Sequence, residues 1–152
     1  MQDKPMKISA KKFFTQEQQE DIKQAVLNAE LDTSGEIRVH IENSCNGDVL
    51  IRAAQIFKKL KMDRTKLRNG VLIYLAIENR KFAIIGDAGI NAIVPENFWE
   101  QIKISMLSRF RDGEFTLGLS EAITAAGVQL KQHFPHDRED VNELSDDISF
   151  GS

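Results

Sequence analysis

Cysteine is nearly absent from this chain of 152 residues. Cys45 stands alone, which excludes an internal disulfide and a zinc site built on several thiolates. Long apolar runs are missing too. The longest, Val71 to Ile77, has seven residues, far short of the roughly 18 to 20 that cross a membrane. Met1 to Ser9 carry Lys4, Pro5 and Lys7 without an apolar stretch, so no secretory signal pattern is seen. An excess of positive charge is lacking as well. The net charge is −3 and the isoelectric point about 5.6, which argues against nucleic acid as a partner. These absences lead to the expectation of a monomeric cytoplasmic protein with no nucleic-acid and no membrane partner. What is present is an ordinary globular composition in one domain's length. Such a chain buries roughly two-thirds of its unfolded surface and needs no covalent staple.

The charge is uneven. Residues 136–152 hold Asp137, Glu139, Asp140, Glu143, Asp146 and Asp147 against Arg138, a sum of −5 that leaves +2 for the rest. With few large apolar residues, this stretch is expected to be an acidic, disordered tail. The alternative is that Leu144, Ile148 and Phe150 dock on the domain or on a partner. Residues 1–11 are expected to be a flexible N-terminus, and 12–135 the folded domain.

Periodicity supplies the elements. Thr15 and Gln18 form a capping-box pattern, followed by Ile22, Ala25, Val26 and Ala29 on one helical stripe. Asp32 to Gly35 is turn chemistry. Glu36 to Glu42 alternates, predicting a strand with Ile37, Val39 and Ile41 inward and a less buried face bearing Arg38 and His40. Asp48 is a suitable N-cap for a helix running to about Met62. Asp63 to Gly70 reads as a polar loop. The continuous run Val71 to Ile77 predicts a central strand buried on both faces. After the tight turn Glu78 to Arg80, Lys81 to Ile85 must return antiparallel. Asn91 to Val94 is a candidate short strand. Pro95 opens a third helix carrying Trp99, Ile102, Met106 and Phe110. Thr116 caps a fourth, carrying Leu119, Ala122, Ile123, Ala126 and Leu130. The fold class is α/β: a three-layer α/β/α sandwich, with a small mixed sheet covered by four helices.

That topology makes a prediction about place. Two parallel strands share their N-terminal edge, and an antiparallel third ends there. The loops around Asp32–Glu36, Asp63–Asn69 and Gly86–Asn91 therefore meet on one rim. Asp87, Glu36, Asp63, Asp32 and Asn69 are the candidate metal ligands, because an oxygen-rich set without sulfur or histidine suits a hard cation, Ca²⁺ or Mg²⁺. As turn residues alone, Asp32 and Asp87 would make only local hydrogen bonds. Asp112 and Glu114 are either a helix end or a second cation site. Cys45, His40 and His133 have no spacing that suggests catalysis or ligation.

Thr33-Ser34-Gly35-Glu36-Ile37-Arg38-Val39, Arg68-Asn69-Gly70-Val71-Leu72-Ile73-Tyr74 and Gly86-Asp87-Ala88-Gly89-Ile90 occur in this order. Phe110-Arg111-Asp112-Gly113-Glu114-Phe115 with Gly118-Leu119 follows. Together they resemble the TPM domain family, which includes a thylakoid-lumen acid phosphatase and many bacterial proteins. The likeness covers about residues 12–135 and is greatest to a soluble bacterial branch. It implies an α/β/α sandwich, divalent-cation binding and, in some members, phosphatase activity. Carried over, Glu36, Asn69 and Asp87 fall on motif positions, with Asp63 and Arg68 in the adjoining loop. Many members carry a Glu where Asn91 stands here, which removes one carboxylate.

The functional expectation is a divalent-cation-binding module, non-catalytic or weakly catalytic. The alternative is a metal-dependent acid phosphatase acting on phosphomonoesters, with Arg68 clamping phosphate oxygens. A phosphomonoester or a protein partner is the further ligand these readings allow.

Overall fold

A computed structural model describes residues 9–135 and 145–151. The first element of the described residues is a short helix, α1 (Ala10–Phe13), whose Ala10 is buried. The expected flexible N-terminus otherwise lies outside the described residues. Helix α2 (Gln16–Glu30) opens on the predicted capping box, with Thr15 and Gln18 each accepting from the other's backbone N–H. Strand β1 (Glu36–Glu42) follows, then α3 (Val49–Lys59). Asp48 caps α3 by accepting from the N–H groups of Leu50 and Ile51.

The polar loop expected after α3 contains one 3₁₀ turn, Met62–Arg64, with Met62 fully buried. Strands β2 (Gly70–Ala76) and β3 (Lys81–Gly86) form the hairpin. Every residue of β2 is buried, as a strand covered on both faces requires.

Asn91 to Val94 is not a strand. Ala88–Asn91 forms a single helical turn, α4, capped by the Asp87 side chain. Helix α5 (Phe98–Arg111) starts beyond Pro95, which instead accepts the Phe98 N–H in a turn. Helix α6 (Phe115–His133) starts one residue before Thr116, so Thr116 does not cap it.

The sheet order is β3-β2-β1-β4, with β1 parallel to β2 and β3 antiparallel to β2. The fourth strand, β4 (Ser149–Phe150), corrects the reading of the tail as wholly disordered. It pairs parallel with β1, His40 opposite Ser149 and Ile41 opposite Phe150. Ile148 and Phe150 pack on the core, and the Gly151 N–H donates to the Ile41 carbonyl at 2.8 Å. An open β1 edge would leave a row of unpaired backbone groups, and this segment satisfies part of it. Residues 136–144 lie outside the described residues.

Two cores result. One packs α2, α5 and α6 against Ile37, Val39, Ile41, Val71, Ile73 and Leu75. The other packs α3 against Leu72, Tyr74, Ala76 and Ala83. The three-layer sandwich is thus built with three long helices on one face and one on the other. In the thicker layer α2 and α6 lie so close that a Cβ on Gly127 would sit 2.7 Å from that of Ala29. Among the described residues no helix is long and apolar enough to cross a membrane.

Candidate functional site at the N-terminal rim of the sheet

The register brings the predicted loops together. Glu36 pairs with Gly70 at the start of β1 and β2, and Gly86, ending β3, pairs with Val71. The Glu36 N–H faces the Asn69 carbonyl at 3.4 Å, and the Asp87 N–H donates to the Gly70 carbonyl at 2.9 Å. Glu36, Asn69 and Asp87 therefore share one rim, as the antiparallel return of β3 demands.

Asp87 is the best-defined member. It is buried, and its carboxylate takes a two-pronged ion pair from Arg68, Nε to Oδ2 at 2.6 Å and Nη2 to Oδ1 at 2.7 Å. The Ala88 N–H adds a third bond to Oδ1, at 2.7 Å. Arg68 holds its backbone in the left-handed region, φ 53°, and its carbonyl accepts from the N–H groups of Gly89 and Ile90. This is why a glycine follows Asp87 by two places: a Cβ at Gly89 would lie 2.1 Å from the Leu67 carbonyl oxygen. The Gly86-Asp87-Ala88-Gly89 motif thus locks the loop bearing Arg68 onto α4.

The other candidates are less tightly gathered. Asn69 is buried and donates from Nδ2 to the Ser34 hydroxyl at 3.3 Å. Asp63, half-buried, has one carboxylate oxygen, Oδ1, without a hydrogen-bond partner. Its charge, with that of Asp87, helps hold the Arg68 pKa above the ordinary arginine value. The buried Thr65 hydroxyl also lacks a partner. Asp32 stands apart, exposed on a turn at φ 63°. Glu36 is buried, with its carboxylate near that of Glu30 rather than in the Asp87 pair.

As donors, these oxygens suit a hard cation. As an arrangement, they do not surround a common point: among the described residues no three His, Cys, Asp or Glu side chains form a group that could hold a metal. Asp112 and Glu114 do not join into a second cluster either. Arg109 lies between Glu114, at 3.1 Å, and Glu121, at 2.8 Å, as a surface ion-pair fork.

Asn91 has a structural role at the end of α4. Its amide donates to the Gly86 carbonyl and its oxygen accepts from Trp99 Nε1, each at 2.7 Å. A carboxylate at 91 would keep only the second bond.

Two polar clusters escaped sequence reading. Burial, followed by a hydrogen bond with Asp146, pushes the Glu30 carboxyl up to about 9, while the Ile37 N–H opposes the rise. A carboxylate in the last turn of a helix, against the dipole, was the local signal at Glu30. Asp146 comes from the far end of the chain, beside the Lys23–Asp147 ion pair.

The second cluster lies on the face of β1 expected to be less buried, which the structure shows to be covered. Glu42 accepts from Arg52 and from the Tyr74 hydroxyl, and His40 Nε2 lies 3.2 Å from it. Burial pushes the Glu42 carboxyl up, and these partners overcome it, holding it at about 2. Burial lowers the His40 pKa. With Nε2–H facing Glu42, the other ring nitrogen, Nδ1, accepts from the Ser149 hydroxyl at 3.0 Å.

The fold and rim define a class. The sequence model of the TPM domain matches residues 8–129. This chain belongs to the TPM domain family. It is 45% identical to the BA42 protein of the psychrophilic bacterium Bizionia argentinensis, whose structure superposes with a TM-score of 0.84, covering 91% of this chain and 96% of that one. The N-terminal domain of a P. gingivalis protein shares the fold at 20% identity and TM-score 0.69, covering 82% of this chain and 83% of that one. The N-terminal domain of the cg2496 protein of Corynebacterium glutamicum does so at 13% and 0.62, covering 78% and 74%. No curated protein matches this chain.

Proposed function

We propose that this chain is a divalent-cation-binding module that takes Ca²⁺ or Mg²⁺ at the N-terminal rim of its sheet. Asp87 and Asp63 supply carboxylate oxygens and Asn69 a neutral one, with Glu36 adding negative potential nearby. The observation that carries this reading is the position of Arg68. Its guanidinium pairs with Asp87 and feels the charge of Asp63, yet its side chain is 50% exposed. A resident cation on so exposed a side chain is exchangeable: Arg68 can turn into solvent and leave its place to a doubly charged ion. The unpartnered Asp63 Oδ1 and Thr65 hydroxyl support the same reading, because buried oxygens without partners are costly unless a ligand completes them.

The test is calorimetric titration of each cation into chelator-treated protein. Asp87→Asn weakens uptake by about tenfold or more, since it removes a formal charge from the seat. Arg68→Gln binds more tightly than the parent, because the internal competitor is gone. A parent protein that takes up neither cation, or an Arg68→Gln protein no tighter than the parent, overturns the reading.

The phosphatase alternative is supported by the same guanidinium, which once released from Asp87 offers a two-pronged donor to phosphate oxygens. Hydrolysis of p-nitrophenyl phosphate that requires Ca²⁺ or Mg²⁺ and is lost in Asp87→Asn would establish it. Metal uptake without hydrolysis leaves the module non-catalytic.

A further inference from the structure

The opposite end of the sheet carries a different kind of site. Beyond the C-terminal end of β2, beside the turn into β3, lies a cavity of about 550 Å³. That volume falls in the range of small-molecule sites, about 300–1,000 Å³. Four phenylalanines from four elements wall it: Phe13, Phe82, Phe110 and Phe115. They pack edge-to-face in pairs, Phe13 with Phe115 at 5.2 Å and Phe82 with Phe110 at 5.4 Å between ring centres. Phe13, Phe110 and Phe115 are half-buried: they pack against the core on one side and line the cavity on the other.

Two arginines complete the lining, Arg80 from the hairpin turn and Arg111 from the last turn of α5. Arg52, Arg68 and Arg109 each pair with a carboxylate. Among the described residues, Arg80 and Arg111 make no ion pair or side-chain hydrogen bond, and their sequence neighbours Glu78 and Asp112 pair with neither. A cavity walled by aromatic rings, with two arginines in its lining that pair with no carboxylate, combines apolar walls with unpaired positive charge. An anion on an apolar body satisfies both at once.

We propose that this cavity binds a small amphipathic carboxylate, its apolar body among the four rings and its carboxylate between Arg80 and Arg111. A planar carboxylate matches the guanidinium fork in two-pronged fashion, and two such forks leave none of its lone pairs unused. The ring edges favour a flat aromatic or branched body over a polar one. This site is separate from the rim that holds Asp87, and its test does not depend on metal uptake.

The probe is 2-naphthoate, followed by amide NMR shifts, with 2-naphthamide as the neutral counterpart and 2-naphthyl phosphate as a second anion. Naphthoate is expected to give saturable shifts confined to residues around 75–82 and 107–115. Naphthamide is expected to bind about tenfold more weakly, for want of the charge-assisted bonds. The double variant Arg80→Asn, Arg111→Gln should weaken naphthoate by about tenfold and leave naphthamide unchanged. Both positions are exposed, and Asn tolerates the left-handed backbone at 80, so the fold is retained. Leu107→Trp, which fills the cavity, should abolish binding of both while the arginines remain. Scattered or absent shifts, naphthoate binding indifferent to loss of the arginines, or tighter binding of the phosphate than of the carboxylate would overturn the proposal.

Discussion

The carboxyl groups of Glu30 and Asp146 hydrogen-bond to each other, joining the end of the second helix to the segment that leads into the last strand. Two carboxyls in contact hold together only while one keeps its proton. Glu30 keeps it, because burial raises its pKa to about 9. The folded protein binds this proton more tightly than the unfolded chain does. The stability it contributes is complete below the ordinary glutamate value of about 4.5 and is lost as pH rises toward 9. Thermal unfolding followed across that window should therefore show a falling melting temperature. Glu30→Gln, which preserves both bonds without a charge, should flatten the slope.

His40 sets the opposite limit. Its pKa is lowered by burial, so its contribution is present above the ordinary value of about 6.5 and is lost as pH falls below it. Protonation puts a charge on a ring buried beside the last strand, so acid should loosen that strand before the domain unfolds. Hydrogen exchange at the Gly151 amide, which bonds to Ile41, should accelerate on acidification. Ser149→Ala should produce the same acceleration at neutral pH, a local loss of about 1 kcal/mol.

Glu42 is the acceptor on which three partners depend. Glu42→Ala leaves the Tyr74 hydroxyl and His40 ring buried without their carboxylate and frees Arg52. Breaking a buried network from one side costs about 3 kcal/mol or more. Urea unfolding should record this as a lower midpoint with an unchanged slope. Removing Arg52 alone should cost less, since its side chain is 39% exposed.

Gly89→Ala tests the locking of the rim loop. The added methyl meets the carbonyls of Leu67 and Arg68, backbone atoms that cannot swing aside. A loss of about 3 kcal/mol is expected, as for overpacking at a rigid site. The Arg68–Asp87 pair should open with it, visible as a shift of the Arg68 Nε–H resonance.

Much of the fold was legible because its determinants are local. The Thr15–Gln18 box, the Asp48 cap, the alternation of β1 and the unbroken apolar run of β2 each act within a few residues. The convergence of Glu36, Asn69 and Asp87 followed from strand direction alone. What escaped depends on contacts distant in sequence. Nothing near Ser149 announces a strand; two residues gain that state only because β1 offers an unpaired edge. The polar face of β1 read as less buried because its cover, Arg52 and the final segment, comes from elsewhere in the chain. The sequence likewise placed Asp32 with the other acids, whereas its left-handed turn keeps it in solvent. It also gave no hint that Arg68 would occupy the Asp87 carboxylate.

On the function proposed above, the rim admits a divalent cation in exchange for Arg68. The most direct measurement is an amide NMR titration of the metal-free protein with Ca²⁺, recording the Arg68 side-chain resonance alongside the backbone. Saturable shifts confined to residues around 63–70 and 86–91 are expected, with Arg68 Nε–H moving to a solvent-like position as they saturate. Shifts centred instead on Arg109 to Phe115, or no shifts while Arg68 stays paired with Asp87, would contradict it.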